Sequence, residues 1–346
     1  MEDQKIFVLI PSGTSGGHES LHQMVSILND HGADAYVYYP DQEDAAEVPE
    51  KFKKYNVKIA ENIEDVAENI LVVSELCTNH LYRYKNIQKV IWWLSWNFYA
   101  ENEKWMNRGV MDRIIHGEWK SAARLMKKRA LGMGKVFSFG EDKNDIFHFF
   151  NCEYIKENLQ KRGVEEENMM YLCGPISEHY FTAKKDRKKE AVLVYNPAKG
   201  LAYTNSILEM VRQQRPELEI VPIKNMTPEQ IVQLLARAKV YIDFGYFPGP
   251  ERIPREAVTM RCNIITSTEG SAGNDEDVKI PRVHKFDINT ANKQDIVNAI
   301  FDRMDHYERY VSDYDVYREK VLQQRTLLEK NILQHFGIAS VKDEEA

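Results

Sequence analysis

Short apolar, β-rich runs alternate along this chain with stretches of helical period, and that alternation restricts the fold more than any single motif. In the first half the runs are Ile6–Ile10, Ala35–Tyr39, Ile70–Val73, Val90–Leu94, Val136–Phe139 and Met169–Leu172. In the second half they are Ala191–Tyr195, Glu219–Pro222, Val240–Phe244 and Asn263–Thr266. Amphipathic segments lie between them: one begins near Glu19 with Leu21, Met24, Val25 and Leu28 on one face, and another, 228–238, gathers Ile231, Leu234 and Leu235. Strand, helix and strand in succession join parallel neighbours, so the pattern predicts an α/β protein built on doubly wound, Rossmann-type parallel sheets.

At 346 residues the chain exceeds what one core usually serves, since single cores stop growing near ~250–300 residues. We expect an N-terminal Rossmann-like domain over 1–182, a second over 183–290, and a C-terminal helical region over 291–346 packing back on both. The run Ala183-Lys-Lys-Asp-Arg-Lys-Lys-Glu190, charged and without a large apolar side chain, reads as an exposed linker. Past Thr290, Ile296, Val297, Ile300, Phe301 and Met304 form a helical stripe, and Lys342–Ala346 reads as a frayed end. Two such domains would face each other across a cleft at the carboxyl ends of their strands, where ligands of these folds bind.

Bulk properties exclude several classes. No stretch approaches the ~18–20 apolar residues of a membrane span. The opening Met-Glu-Asp-Gln-Lys is acidic and lacks the pattern of a signal peptide, so a cytoplasmic location is expected. Four cysteines, at 77, 152, 173 and 262, form no close pair, which argues against disulfides and thiolate metal sites. A net charge of −7 disfavours nucleic acid as a partner.

The loops after the strands carry the candidate chemistry. Pro11-Ser-Gly-Thr-Ser-Gly-Gly-His18 leads into a helix whose free N–H groups can hold an anion; it matches neither a dinucleotide fingerprint nor a P-loop. Gly16 and Gly17 would let a ligand approach the backbone, or simply make a tight turn. His18 could donate to a sugar hydroxyl or phosphate, or serve as a first-turn residue. Val90-Ile-Trp-Trp-Leu-Ser-Trp-Asn97 ends a strand; Trp92 and Trp93 suit a doubly covered sheet, leaving Ser95, Trp96 and Asn97 to contact a ligand. Trp119–Arg129 has five basic and no acidic side chains, with Trp119, Ala122, Ala123 and Met126 at helical spacing. Such a helix either lies on an anionic membrane surface or presents a solvated face.

In the second half, Val194-Tyr-Asn-Pro-Ala-Lys-Gly200 brings Asn196 and Lys199 to a strand end, where a lysine can neutralise a diphosphate or remain an exposed turn residue. Pro248-Gly-Pro-Glu-Arg-Ile-Pro-Arg-Glu-Ala257 follows another strand. Pro254 fits the first turn of a helix, Glu256 gains from the helix dipole, and Arg252 and Arg255 offer forks suited to phosphate. A cap with a Glu251–Arg255 surface pair would account for only part of this charge. Ser267-Thr-Glu-Gly-Ser-Ala-Gly-Asn274 can wrap phosphate or sugar with its N–H groups.

These residues resemble the retaining glycosyltransferases of the GT-B fold, the group typified by bacterial glycosyltransferase family four. The resemblance lies in the order of Gly16-Gly17, the stretch Phe150–Leu159 with Lys161-Arg-Gly-Val, Gly174-Pro-Ile-Ser, Lys199-Gly200 and Pro254-Arg-Glu-Ala-Val-Thr-Met-Arg-Cys. The strings Ile-Trp-Trp-Leu-Ser and Arg-Ile-Pro-Arg-Glu-Ala are similar to bacterial proteins associated with surface polysaccharide. The resemblance implies transfer of a hexosyl or pentosyl group, with retention and without a metal or other cofactor, from a nucleotide sugar to a saccharide or lipid-linked acceptor. It implies that Glu256, aided by Glu251, binds the ribose, that Lys199 with Arg252 or Arg255 takes the diphosphate charge, and that Gly270, Ser271 and Ala272 hold phosphate or sugar. The first domain would take the acceptor, and contact with the inner face of the membrane would run through 119–129. The chain departs from the family pattern where Pro248 replaces a first glutamate, Val194 an arginine, and Ser95 or Trp96 a histidine. The missing glutamate and arginine leave a second reading open, a non-catalytic GT-B partner of another glycosyltransferase; a third is a nucleic-acid base glycosyltransferase, since that chemistry also occurs on two-domain folds of this size, although the acidic balance disfavours it.

Overall fold

The computed structural model describes residues 4–40, 47–132, 134–140, 145–183 and 188–339. Two compact units share the chain: the first comprises Met1–Asn151, Ile155–Gly174 and Thr326–Ala346, the second Cys152–Tyr154 and Pro175–Arg325. The chain thus passes to its second unit at Pro175, ahead of the charged run, and the C-terminal region is divided between the two. Residues 184–187 of that run and 342–346 lie outside the described residues.

The first unit is built on β1 (Lys5–Leu9), β2 (Asp34–Tyr38), β3 (Lys58–Ile59), β4 (Ile70–Ser74), β5 (Gln88–Trp93), β6 (Ile146–Phe150) and β7 (Met169–Tyr171). They form one parallel sheet in the order β3-β2-β1-β4-β5-β6-β7. Helices α1 (Gly16–Asp30), α2 (Trp96–Asn107), α3 (Val110–Ile115), α4 (Trp119–Ala130) and α5 (Glu153–Lys161) connect them. Leu21, Met24, Val25 and Leu28 of α1 bury against Ile6, Val8 and Val72, which is the face their spacing predicts. Strand order reverses between β1 and β4, so the loops after these two strands part in opposite directions and leave a crevice.

The second unit follows the same plan with α6 (His179–Thr182), β8 (Glu190–Tyr195), α7 (Leu201–Gln214), β9 (Glu219–Pro222), α8 (Pro228–Arg237), β10 (Ala238–Asp243), α9 (Arg252–Thr259), β11 (Asn263–Ser267) and β12 (Lys285–Phe286). Its parallel sheet has the order β12-β11-β10-β8-β9, with the reversal between β8 and β10. Helices α10 (Lys293–Asp305), α11 (Tyr307–Tyr310) and α12 (Asp315–Phe336) complete the chain. One sheet face packs on α7 and α10 through Ile207, Leu208, Ile296 and Ile300. The other packs on α8 and α9 through Leu234, Leu235, Ala257 and Val258.

Two sequence expectations fail for identifiable reasons. Val136–Phe139 forms no strand: Phe137 and Phe139 turn their rings onto Trp93, at 6.2 and 5.5 Å between centroids, and the strand of that region is β6. Lys189 is no linker residue, because its ammonium donates to the carbonyls of Leu235, Ala238 and Met260 at 2.9, 2.9 and 2.7 Å. It neutralises the carboxyl ends of α8 and α9, where the helix dipoles are negative.

Candidate functional site

In the second unit the loops leaving β8 and β10, the strands at the switch point, run into contact. Gly200, at φ 59°, permits this: a Cβ there would stand 2.7 Å from the Phe244 carbonyl oxygen. Lys199, beside it, reaches the Glu251 carboxylate. Glu251 is the N-cap residue of α9, yet its side chain caps no N–H and is turned to the lysine instead. A cation and a carboxylate therefore meet at the N-terminus of an inward-running helix, where a diphosphate would find an ammonium and free N–H groups.

One turn into α9, Glu256 is 5% exposed, and both of its oxygens are engaged. The Tyr180 hydroxyl donates to Oε2 at 3.0 Å, and the Arg252 guanidinium stands 3.4 Å from Oε1. Burial, then the charge of Glu256, raises the Tyr180 pKa far above the phenol range, so this hydroxyl keeps its proton as a donor. Tyr180 lies on α6, in a segment whose sequence carries no catalytic signal.

The two arginines of the opening turn part company. Arg252 is one-third exposed in its side chain and forms the ion pair with Glu256. Arg255 is 4% exposed and spends its fork within the protein: Nε donates to the Glu251 carbonyl at 3.2 Å, Nη2 to the Pro250 carbonyl at 3.1 Å, and Nη1 to Gln324 of α12 at 2.7 Å. The expected surface pair with Glu251 does not form. Arg255 is a clamp on the Pro-Gly-Pro turn and holds the Glu251 backbone in place.

Ser271 and Ala272 are fully buried. The Ser271 hydroxyl donates to the Gly249 carbonyl at 2.7 Å, and its N–H to the Phe247 carbonyl at 2.9 Å, so this loop ties down the same turn. Gly270, at φ 64°, lies so close to the Phe247 carbonyl that a Cβ would overlap it. Asn196 donates to Asp243 at 3.4 Å, and Tyr241 donates to the same carboxylate at 2.8 Å. Burial pushes the Asp243 carboxyl up to about 6, against the N–H of Gly245.

The remaining sequence candidates belong to the first unit. Gly16 and Gly17 open α1, whose N-cap is Ser15. His18 Nδ1 shares a 2.7 Å hydrogen bond with the Ser15 hydroxyl, and burial lowers its pKa, which favours the neutral ring. Ser95 caps α2 by accepting from the Phe98 N–H at 3.4 Å. Trp96 is buried against Trp93 and Tyr99, at 5.7 and 5.5 Å between centroids, and is core more than platform. Asn97 keeps a buried Oδ1 that accepts no hydrogen bond among the described residues. Glu75, which escaped the sequence reading, follows β4 at the switch point and accepts the Leu94 N–H at 3.0 Å. Burial pushes its carboxyl up to about 7. Its only sequence signal is an acidic residue directly after the apolar run of a central strand.

Among the described residues no three His, Cys, Asp or Glu side chains gather as a metal-ligating group, and no helix is long and apolar enough to cross a membrane. No family model matches the chain. No curated protein sequence matches it either. Solved structures do share its architecture. Sucrose-phosphate synthase from Thermosynechococcus elongatus superposes with a TM-score of 0.58 at 12% identity, over 96% of this chain and 98% of that one. The Anabaena protein Alr3699/HepE in complex with UDP-glucose gives 0.59 at 13% identity, over 96% and 99%. WaaG, a glycosyltransferase involved in lipopolysaccharide biosynthesis, gives 0.52 at 12% identity, over 96% and 98%. These are GT-B proteins, and the chain has the GT-B fold.

Proposed function

We propose that this GT-B chain is a glycosyltransferase that moves a hexosyl or pentosyl group from a nucleotide sugar to a saccharide or lipid-linked acceptor, with retention and without a metal. The observation that carries the reading is the meeting of Lys199 with Glu251 at the N-terminus of α9, on the switch point of the second sheet. Solved relatives in fold support it, one of them in complex with UDP-glucose.

In this reading the bond between the anomeric carbon and the diphosphate oxygen breaks, and its electron pair leaves with the diphosphate. Lys199, Arg252 and the α9 N–H groups take up that charge, a form of stabilisation by fixed donors that needs no ion. The acceptor oxygen attacks on the same face, and its proton passes to the departing phosphate. Glu251 orients Lys199 before the donor arrives, and Glu256 holds the ribose with Arg252 and Tyr180. Arg255 holds the turn and takes no part in the chemistry. The reaction would run in the cytoplasm, at the inner face of the membrane, in synthesis of a polysaccharide or glycoconjugate.

The test is a panel of nucleoside diphosphates and nucleotide sugars, read by calorimetry and by donor hydrolysis. Lys199→Ala is expected to weaken binding of the preferred nucleotide about 10–100-fold, the loss of one charged hydrogen bond of ~1.5–3 kcal/mol, with melting unchanged. Equal affinity in the variant would move the site elsewhere. A second reading, a non-catalytic partner of another glycosyltransferase, is favoured by two observations: Val194, where the family pattern has an arginine, is fully buried in the sheet, and Arg255 is occupied by backbone carbonyls. Nucleotide binding without hydrolysis or transfer by any donor of the panel would select it.

A further inference from the structure

Behind Lys199 lies a buried carboxylate that the reaction above does not use. Asp243 ends β10 and is 1% exposed. Among the described residues no lysine, arginine or histidine pairs with it; three hydrogen-bond donors converge on it instead. Oδ1 accepts the Gly245 N–H at 3.0 Å, and Oδ2 accepts the Tyr241 hydroxyl at 2.8 Å and the Asn196 amide at 3.4 Å. Asn196 in turn accepts the Ala198 N–H on its own Oδ1 at 3.0 Å, which decides the way its amide faces.

One carboxylate thereby joins the two loops of the switch point. On the β8 side the link runs through Asn196 to the Ala198 N–H, directly before Lys199. On the β10 side it ends at Gly245, whose carbonyl accepts the Ser267 hydroxyl of β11 at 2.9 Å. The loops meet without slack, since a Cβ on Gly245 would stand 2.6 Å from the Lys199 Cβ. The three donors also explain why the residue is an aspartate. An asparagine offers one acceptor oxygen, so its NH2 group would face another donor; were Asn196 to turn over and accept, it would release Ala198.

We propose that Asp243 is a positioning residue for Lys199: through Asn196 and Gly245 it holds the loop after β8 against the loop after β10, so that the ammonium stands at Glu251 before the donor's diphosphate arrives. Asp243 touches no substrate, and its effect passes through the lysine. A donor fixed in advance costs no reorganisation when the leaving charge develops. What Lys199 does there rests on the transferase reading; where Lys199 is held does not.

The Lys199 side chain is 37% exposed, so its placement can be read without nucleotide, as its rate of acetylation by acetic anhydride at pH 8, followed by mass spectrometry on the full chain. Asp243→Asn and Asn196→Ala are each expected to raise that rate at least 3-fold. In calorimetry with UDP-glucose, Asp243→Asn should weaken binding at least 10-fold and Asn196→Ala at least 3-fold. The exchange Asn196→Asp with Asp243→Asn moves the carboxylate across the link: the new amide donates to the new carboxylate, which still accepts the Ala198 N–H, and keeps its oxygen for Gly245. Both readings should return to within about 3-fold of the parent. Tyr241→Phe removes a donor that lies on neither loop, so melting should fall while Lys199 labelling stays within 2-fold, which separates positioning from support of the fold. Should Asp243→Asn fail to fold, Asn196→Ala and the exchange still decide. Unchanged labelling in Asn196→Ala, no rescue by the exchange, tighter UDP-glucose binding in Asp243→Asn, or labelling raised equally by Tyr241→Phe would each overturn the proposal. The expected labelling pattern in a chain that binds no UDP-glucose would count against the transferase reading and leave the positioning standing.

Discussion

The two switch points of this molecule treat cations in opposite ways. At the second, between β8 and β10, the site's cations are matched inside the protein: Lys199 by Glu251, Arg252 by Glu256, and Arg255 by carbonyl oxygens and Gln324. At the first, between β1 and β4, Glu75 is a buried carboxyl with no cation in reach among the described residues, and among the same residues neither Lys128 nor Arg124 has a carboxylate partner. Matched charges fix geometry before a ligand arrives, which suits a site that must recognise one donor. An unmatched buried charge is tolerated only if a proton or a ligand neutralises it, which makes the first edge responsive to its surroundings.

The largest expected effect tests the matched side. Arg255→Met should lower unfolding free energy by roughly 2–4 kcal/mol, because the Pro250 and Glu251 carbonyls and Gln324 lose buried charged donors together. Arg252→Met should cost less, roughly 1–2 kcal/mol, because its own side chain is one-third exposed and the Tyr180 hydroxyl still donates to the buried Glu256 carboxylate. Urea denaturation of both variants measures the contrast. Equal losses would mean that the two arginines share one role.

On the unmatched side, stability should depend on pH through Glu75. The folded chain holds this proton up to about 7, whereas a free glutamate releases it near 4.5, so between those values the folded state binds more protons. The stabilisation from the protonated carboxyl is complete below about pH 4.5 and is lost as pH rises through about 7. Glu75→Gln keeps an acceptor for the Leu94 N–H and never ionises. The gap between variant and parent should therefore grow by roughly 2–3 kcal/mol in favour of the variant from pH 4.5 to pH 8. Parallel profiles would show that Glu75 is already ionised in the folded chain.

The same contrast explains what could be read in the sequence. The placement of Lys199 at a strand end and of Glu251 at a helix start was legible because a strand, a glycine and a helix start fix the path of the loops; their pairing was not, since from the sequence Arg255 is an equally near partner for Glu251. The fates of Arg252 and Arg255 were not: the two lie three residues apart on one helix, and which one turns inward is decided by Gln324, far along the chain on α12. Ser271 looked like a ligand contact for a similar reason, since a hydroxyl that ties one loop to another has the same local signature as one that binds phosphate. The two parallel sheets followed from alternation, except where aromatics mislead: Phe137 and Phe139 pattern as a strand but pack as a cluster on Trp93, and the strand of that region is β6. The two-residue edge strands β3 and β12 are too short to have a period at all.

The smallest effect separates holding a turn from binding a ligand. Ser271→Ala removes one hydroxyl from the Gly249 carbonyl, a neutral hydrogen bond whose loss costs about 1 kcal/mol, and keeps the backbone contact to Phe247. If Ser271 only ties the turn, melting should drop by a few degrees while nucleotide affinity, measured well below the transition, stays within about 2-fold, because Arg255 still clamps Pro250 and Glu251. A fall in affinity about 10-fold or more at unchanged melting would instead put the hydroxyl on the ligand. The loop at 267–274 would then have to open on binding, and the matched edge would be less rigid than its hydrogen bonds imply.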